Sequence, residues 1–499
     1  MSSSRIPARM STSIYYLHVA FLVSSLTLLA PSFIVLASGG DSVCLSLLLY
    51  GSMELIVAVF WRNYFAPSRR MTLSDAILVA VMLWLLVPIL SSIPIMLVLG
   101  IPFVDAWFEG VSGFTTTGLT IFTGSIDPWF NTYVPRIEEL PPSIQLWRSF
   151  TQWIGGIGIL ALFAAFAAGG ALPAHVAGLA EGRYEHILPS VARSLRAFTQ
   201  VYFIYTFIGV LLFMLAGMNF YDALNHAMTG IATGGFSTHS QSFAYYNNVF
   251  IEASAIIVMI LGALNFADHY DLVRGRPRRI LRNPETAAFF LISSLAILLS
   301  MLIYAASKGL VSPVDVRGIV FQVISSISGT GFQTIDLSRA PQGFLLLLSF
   351  TNILGGSILS TTGGIKLFRL IVLTKSVTWN IETLLSSSAR IVVRRVGDRV
   401  FRGNEVEQAV SVAFLFIVVL LAATLISAIF LPHKNIVLLL FEASSALGNV
   451  GLSTGITGAS LPVPVKIIYI VLMLLGRLEI LSYVTALMIL RERARLRWR

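Results

Sequence analysis

The sequence predicts an all-α, polytopic membrane protein that is built from four tandem repeats after an N-terminal transmembrane hairpin. Composition is the first reason, because hydrophobic residues make up 56% of the 499 residues and charged residues only 12%, about half of the ~25% found in soluble domains. Length is the second reason, since many apolar stretches reach the ~20 residues that a membrane-spanning helix needs. The third reason is a short phrase of residues that recurs four times along the chain.

Ten apolar stretches are long enough to span a membrane. They cover residues 15–38, 42–61, 72–99, 144–168, 195–217, 246–267, 285–306, 341–374, 405–431 and 463–489. The first two stretches lie before the recurring phrase and form the expected hairpin, residues 1–66. The first stretch could also be a signal peptide. It is too long for a typical signal sequence and no clear cleavage site ends it, so we expect it to be retained.

The recurring phrase is aligned on four glycines, Gly118, Gly235, Gly331 and Gly451. Six residues before each glycine stands a serine or threonine, and nine residues before it stands a polar residue. The polar residues are Glu109, His226, Gln322 and Glu442. Each phrase follows a segment too short to cross a membrane, and these segments start near Pro102, Phe220, Pro313 and Asn435. Each repeat is therefore predicted to be a helix, a re-entrant pore loop and a second helix.

We expect these four helix–pore-loop–helix repeats to be arranged around one pore. Their predicted limits are 67–180, 181–275, 276–403 and 404–499; the third includes a broken second helix and a cytoplasmic connector, and the fourth a basic cytoplasmic tail. The turns consist of Thr115, Thr116, Thr117 and Gly118; Ala232, Thr233, Gly234 and Gly235; Ser328, Gly329, Thr330 and Gly331; and Gly448, Asn449, Val450 and Gly451. Small residues let four backbones meet, and main-chain oxygens on such turns can replace the water shell of an ion. The alternative interpretation is four ordinary tight turns between membrane helices.

The basic residues fall in alternate loops, which predicts the topology. Arg62, Arg183, Arg274, Arg394 and the tail to Arg499 lie on one side, whereas the loops of the pore segments are poorer in basic residues. By the positive-inside rule both termini are cytoplasmic and the turns face outward. This placement also argues against nucleic acid as the reason for the net charge of +10. Cys44 is the only cysteine, which excludes an intrachain disulfide.

The whole chain resembles the Trk/Ktr/HKT superfamily of potassium transporters, and most of all its TrkH branch. The resemblance covers nearly all of residues 14–490 and rests on the four turns, the N-terminal hairpin and three further motifs. These motifs are Leu146-Trp147-Arg148-Ser149 with Gln152-Trp153-Ile154-Gly155-Gly156, Gly355 through Lys366, and Gly476-Arg477-Leu478-Glu479-Ile480. The resemblance implies that the four turns bind potassium as the permeant ion, without any cofactor. It also implies a homodimer in the bacterial inner membrane and a cytosolic, nucleotide-binding, TrkA-like regulatory subunit. Some relatives carry serine at the first glycine and favour sodium, so Gly118 favours potassium.

A run of small and hydroxyl residues in the eighth stretch predicts a break at membrane depth. The run contains Gly355, Gly356, Ser357, Ser360, Thr361, Thr362, Gly363 and Gly364. Paired glycines beside hydroxyl residues suit a flexible loop better than close helix packing, which spaces its small residues four apart. In the resembled family this loop lies under the filter and blocks the path, which implies a gate.

Arg477 and Lys366 are the two basic residues assigned to the same gate. Arg477 lies near the middle of the last stretch, where a charge is costly and usually faces the protein interior. It is interpreted as a cation just below the filter that pairs with carbonyl groups of the loop. The alternative is a structural ion pair between helices. Lys366 ends the loop and is expected at the cytoplasmic mouth.

The predicted function is potassium uptake across the inner membrane by a gated, channel-like pore. The alternative is a sodium- or proton-coupled cation symporter, in which broken helices hold the substrate. A symporter predicts two pseudo-symmetric halves, whereas this chain has quarters. The sequence holds no nucleophile–base pair, so we do not expect an enzyme. Glu109 and Glu442 either hold the turns or attract cations, and no metal site is expected at His226 and His239 beyond the permeant ion.

Overall fold

The structure is a computed structural model that describes residues 8–68, 71–158, 191–276, 278–386, 393–396, 399–400 and 403–497. The predicted boundary between the first two repeats, at residue 180, and the end of the predicted span 144–168 lie outside the described residues. Helices dominate the described chain, as predicted. Three short two-stranded sheets join them.

The N-terminal hairpin precedes the four repeats, as expected. It consists of a short helix α1 (Thr12–Tyr15), α2 (His18–Ala37) and α3 (Cys44–Tyr64). Strands β1 (Ala8–Met10) and β2 (Phe65–Pro67) pair in parallel and bring the two ends of the hairpin together. Large apolar side chains of α3, among them Leu45, Leu49 and Ile56, are exposed, as expected for a surface that faces lipid.

The first repeat begins with α4 (Leu73–Leu99), and its pore helix is α5 (Phe103–Phe114). Thr72 and Asp75 form a reciprocal capping box at the start of α4, and Gly100 ends that helix with a φ of +65°. The segment after the turn, which the sequence predicted as an extended outer loop, is a hairpin of β3 (Thr123–Asp127) and β4 (Thr132–Arg136). Helix α6 (Pro142–Ile157) then follows.

The second repeat contains α7 (Val191–Leu215), the pore helix α8 (Phe220–Ile231) and α9 (Val249–Ala263). The predicted span 246–267 is not one straight helix. It bends by 107° into α10 (Phe266–Val273), and the Asn265 side chain caps the new helix by accepting from the Ala267 backbone N–H. Helix α11 (Arg278–Arg282) leads to the third repeat.

The third repeat is α12 (Pro284–Lys308), the pore helix α13 (Pro313–Ile327), α14 (Gln342–Asn352) and α15 (Leu367–Leu385). The predicted break in the eighth apolar stretch is present, since residues 353–366 between α14 and α15 are not helical. Strands β5 (Arg395–Val396) and β6 (Arg399–Val400) form a small antiparallel pair beyond α15.

The fourth repeat is α16 (Gly403–Phe430), the pore helix α17 (Ile436–Gly448), α18 (Val463–Leu478) and α19 (Ile480–Arg497). The predicted span 463–489 is also bent, by 95°, between α18 and α19. Glu479 forms the bend with a φ of +67°, which is uncommon for a residue with a side chain. Arg477 therefore lies in the last turn of α18 and not in the middle of a straight span.

Six helices within the described residues are long and apolar enough to cross a membrane, or eight if each bent pair counts as one span. The chain is thus a multi-pass membrane protein, and two of the ten predicted spans, 246–267 and 463–489, are bent within the residues that the structure describes. The four pore helices lie at the centre of this bundle. Their last two turns are fully buried, including Phe108, Phe114, Ile231, Ile327 and Leu447.

Candidate functional site

The four pore helices end with the same backbone conformation. The residue two positions before each aligned glycine has a positive φ. The values are +55° for Thr116, +52° for Thr233, +65° for Gly329 and +55° for Asn449. The aligned glycines Gly118, Gly235, Gly331 and Gly451 follow with φ values of +91°, +75°, +86° and +91°. Such left-handed residues are the usual way to end a helix. Four equal endings give four equal turns.

The same backbone hydrogen bond closes each of the four turns. The N–H just before the glycine donates to the carbonyl of the serine or threonine five positions earlier. The N···O distances are 2.9 Å for Thr117 to Ser112, 2.8 Å for Gly234 to Thr229, 3.0 Å for Thr330 to Ser325 and 2.9 Å for Val450 to Ser445. Of the two hydrogen bonds that define a Schellman motif, this is the 6→1 bond, which joins residues five positions apart. It holds each turn directly on the end of its helix.

The polar residue nine positions before each glycine ties the chain after the turn back to the pore helix. The Ile121 N–H donates to Glu109 at 3.1 Å, and the Thr334 N–H donates to Gln322 at 3.0 Å. Glu442 accepts from the Thr454 N–H at 2.6 Å, whereas Nε2 of His226 lies 2.9 Å from the Ser237 hydroxyl. All four side chains are buried. These contacts support the interpretation that Glu109 and Glu442 hold the turns.

The four turns form one closed ring. Each aligned glycine lies against the carbonyl oxygen of the next repeat, at the position just before that repeat's glycine. A Cβ atom added to Gly118 would lie 2.1 Å from the Gly234 oxygen, one on Gly235 2.0 Å from that of Thr330, one on Gly331 1.9 Å from that of Val450, and one on Gly451 2.1 Å from that of Thr117. The last contact returns from the fourth repeat to the first. Only glycine fits at these positions, because real Cβ atoms almost never approach closer than 3.0 Å.

The non-helical segment 353–366 is fixed by backbone hydrogen bonds to the end of α9 and the start of α10. The Ser357 N–H donates to the Ala263 carbonyl at 3.0 Å, and the Phe266 N–H donates to the Leu359 carbonyl at 2.9 Å. The segment closes on itself, since the Gly355 N–H donates to the Ile365 carbonyl at 2.8 Å. We call residues 353–366 the inner loop. Its bonds to α9 use backbone groups that the bend before α10 leaves free.

The inner loop contacts three of the four turns. The Thr361 hydroxyl lies 3.1 Å from the Thr233 hydroxyl of the second turn. A Cβ atom added to Gly329 of the third turn would lie 3.6 Å from the Thr362 Cβ. One added to Gly363 would lie 2.4 Å from Oδ1 of Asn449 in the fourth turn. All three contacts use the residue two positions before the aligned glycine, so the loop lies against one end of the ring.

Arg477 completes this set by contacting the first turn. Its Nη1 donates to the Thr116 hydroxyl at 3.0 Å and also to the Thr361 carbonyl, and its Nη2 donates to the Gly155 carbonyl at 2.5 Å. Lys366 lies on the same side, where its Nζ donates to the Thr362 carbonyl at 2.5 Å. The inner loop and Arg477 together therefore contact all four turns.

The comparison with known families decides the identity of the chain. The sequence profile of TrkH, described as a cation transport protein, matches residues 53–497. The chain belongs to the TrkH family. An uncharacterized cation transporter of Methanocaldococcus jannaschii is 32% identical over 420 residues, which cover 83% of this chain and 82% of that protein. The Trk system potassium uptake protein TrkH of Halomonas elongata is 32% identical over 437 residues, which cover 83% of this chain and 85% of that protein.

A solved structure supports the fold of this chain. The crystal structure of the potassium transporter TrkH from Vibrio parahaemolyticus matches with a TM-score of 0.80 at 26% identity, over 95% of this chain and 97% of that chain. The resemblance recognised in the sequence and the predicted fold class are therefore confirmed. Membership of a transporter family also confirms that the chain is a transporter and not an enzyme.

The structure contains two buried ionic clusters that were not predicted from the sequence. Arg148 lies 2.6 Å from Glu109, donates to the Ser237 carbonyl at 3.0 Å and stands 4.1 Å from the centre of the Phe236 ring. Nζ of Lys466 lies 2.5 Å from Asp105 and 2.6 Å from Asp127, with all three side chains fully buried. Arg148 and Lys466 are, like Arg477, basic residues inside predicted apolar stretches. That feature could have identified them as buried and paired, but only Arg477 was interpreted in this way. A third ion pair, which the sequence did not predict, joins Glu479 at the bend after α18 to Arg369 at 2.8 Å.

Proposed function

We propose that the protein takes up potassium through a gated, channel-like pore whose selectivity filter is formed by the four turns. The closed ring, in which each glycine faces the carbonyl of the next repeat, carries the proposal. Carbonyl oxygens around one axis can replace the hydration shell of potassium. The names of the relatives from Halomonas elongata and Vibrio parahaemolyticus, potassium uptake proteins of Trk systems, support potassium as the ion.

The inner loop is the proposed gate of this pore. It lies against one end of the ring and contacts the second, third and fourth turns, so an ion that leaves the ring on that side meets the loop. Arg477 is proposed to hold the gate shut. Its guanidinium bridges the Thr116 hydroxyl and the Thr361 carbonyl, and its charge repels a cation that leaves the ring. Lys366, the last residue of the inner loop, donates from Nζ to the Thr362 carbonyl of the same loop.

The proposed topology places both termini in the cytoplasm, with the inner loop on the cytoplasmic side of the filter, in the inner membrane of a bacterial cell. The proposal includes a homodimer and a cytosolic, nucleotide-binding, TrkA-like regulatory subunit. The basic residues in alternate loops support the topology, and relatives named as members of Trk systems support a regulatory subunit.

Ion flux in proteoliposomes tests the proposed pore. With potassium inside and sodium outside, the reversal potential should follow the potassium gradient. A coupled symporter would instead shift its reversal potential when a pH or sodium gradient is added at a fixed potassium gradient. Such a shift would replace the pore by the alternative function.

A second experiment tests the gate. Deleting residues 358–360 should raise basal potassium flux, because the inner loop would no longer reach the turns. Thr361→Val is the milder variant, since it removes one hydroxyl, which contacts the Thr233 hydroxyl and donates to the Ile231 and Gly262 carbonyls. Thr383→Val is its control, because that hydroxyl bonds a carbonyl of its own helix, 2.7 Å away. Unchanged basal flux in both the deletion and Thr361→Val would contradict the gate.

A further inference from the structure

The second turn differs from the other three in what fills the space behind the ring. The residue just before the aligned glycine is Thr117, Thr330 or Val450 in three turns, but it is Gly234 in the second turn. A Cβ atom on Gly234 would lie 2.4 Å from Cδ of Gln152, which comes from α6 of the first repeat. The missing side chain of one repeat is therefore replaced by a side chain of another.

Gln152 forms hydrogen bonds to the backbone on both sides of the aligned glycine Gly235. Its Nε2 donates to the Gly234 carbonyl at 2.6 Å, and its Oε1 accepts from the Phe236 N–H at 3.0 Å. These residues flank Gly235, so one planar amide holds both ends of that glycine. Gln152 is fully buried, and both halves of its amide are paired.

The contact has no counterpart in two of the other repeats. The equivalent positions on α6, α9 and α18 are marked by Gly155, Gly262 and Gly476. Each of these glycines packs against the backbone carbonyl of its own repeat's pore helix, at the residue four positions before the aligned glycine. Three residues before them stand Gln152, Met259 and Met473. A methionine side chain cannot donate a hydrogen bond. Within the part of the chain that the structure describes, the ring carbonyls of Thr117, Thr330 and Val450 accept no hydrogen bond.

We propose that Gln152 is a positioning residue that sets ion selectivity by holding one of the four ring carbonyls back from the pore axis. This inference rests on the proposed function of the ring. A smaller ion such as sodium requires the carbonyls to close in around it. The amide N–H opposes that movement at the Gly234 oxygen, because the oxygen must lose a hydrogen bond to move. Potassium needs no such movement, so the hydrogen bond from Gln152 disfavours the binding of sodium more than the binding of potassium.

The test is the potassium-to-sodium permeability ratio of Gln152→Met, taken from reversal potentials in proteoliposomes. This variant places at position 152 the residue type of the two corresponding positions. We expect the ratio to fall about fivefold, the change that the loss of one hydrogen bond of ~1 kcal/mol gives. Gln145→Met is the matched control, since Gln145 lies on the same helix and bonds the Ile137 carbonyl. That control should leave the ratio unchanged, because its contacts do not reach the ring.

Two further variants keep the proposal falsifiable if Gln152→Met does not fold. Gln152→Glu retains an acceptor for the Phe236 N–H but loses the donor to Gly234, and Gly234→Ala displaces the amide from the other side. Both should lower the ratio. An unchanged ratio with normal flux in the folded variants would overturn the inference. Gly331→Ser separates this failure from failure of the filter itself, because it alters the ring without touching Gln152. If Gly331→Ser changes the ratio and the Gln152 and Gly234 variants do not, only the role of Gln152 is wrong.

Discussion

Gly331→Ser is the most direct perturbation of the ring. Gly331 has a φ of +86°, and a Cβ atom added there would lie 1.9 Å from the carbonyl oxygen of Val450. Real Cβ atoms stay at least 3.0 Å from other heavy atoms, so the two turns must separate by at least 1.1 Å (3.0 minus 1.9). The Val450 oxygen is backbone and cannot rotate away as a flexible side chain could.

The expected loss of selectivity follows from the size of this displacement. Binding sites keep their function when their atoms stay within about 0.5 Å of the productive geometry, and a movement of 1.1 Å is twice that tolerance. Left-handed backbone costs a residue with a side chain a further ~1–2 kcal/mol. We therefore expect the potassium-to-sodium permeability ratio to fall by about tenfold or more, which corresponds to ~1.4 kcal/mol between the two ions.

Gly309→Ser is the matched control for this experiment. Gly309 has a φ of +83°, almost the same as Gly331, but nothing lies within 4 Å of an added Cβ atom. The two variants share the backbone strain, and only Gly331→Ser has the steric clash. Reversal potentials under opposing potassium and sodium gradients measure the ratio for both. If both proteins keep the wild-type ratio, or if both lose it equally, the assignment of the ring as the filter is refuted. The same substitution at Gly118, Gly235 and Gly451 extends the test to the other three contacts.

Three other variants have defined outcomes. Arg477→Ala should raise basal potassium flux without changing the permeability ratio, because the ring carbonyls belong to other residues; a fall in the ratio at unchanged flux would contradict its role in the gate. Lys466→Met leaves two buried carboxylates without their cation and should cost ~3–5 kcal/mol in thermal unfolding, whereas Lys308→Met, which removes a partly exposed ion pair, should cost about 1 kcal/mol or less. Equal losses in these two lysine variants would show that the buried cluster does not depend on its cation. Glu442→Gln keeps an acceptor for the chain after the fourth turn and should be milder in unfolding than Glu442→Leu; the reverse order would contradict the tie between that chain and the pore helix.

Local signals were enough to locate the pore helices. The predicted starts at Phe220 and Pro313 coincide with the structure, and those at Pro102 and Asn435 are one residue early. Capping explains this success, because proline and asparagine mark helix starts through bonds and angles that involve only neighbouring residues. The repeat pattern likewise located the four turns, since each turn is fixed by its own helix end.

Contacts distant in sequence explain what was missed. The bend after α9 lies in a continuous apolar stretch, and the backbone groups at the bend bond an inner loop almost a hundred residues later in the chain. Lys466 and Asp105 are separated by 361 positions, so no spacing rule could join them. The Gln152 amide occupies the space that a side chain at position 234 would fill. That space is formed only when the first and second repeats pack together.

The closure of the ring between Gly451 and Thr117 has a consequence for the synthesis of the protein. The first turn emerges from the ribosome more than three hundred residues before the fourth, yet it lacks one of its two neighbouring turns until the fourth pore helix has inserted. A chain that stops between the third turn and the fourth has three of the four turns and an open side. The ring of glycine–carbonyl contacts therefore closes only with the last repeat, and a partly synthesised chain in the membrane has no complete ring.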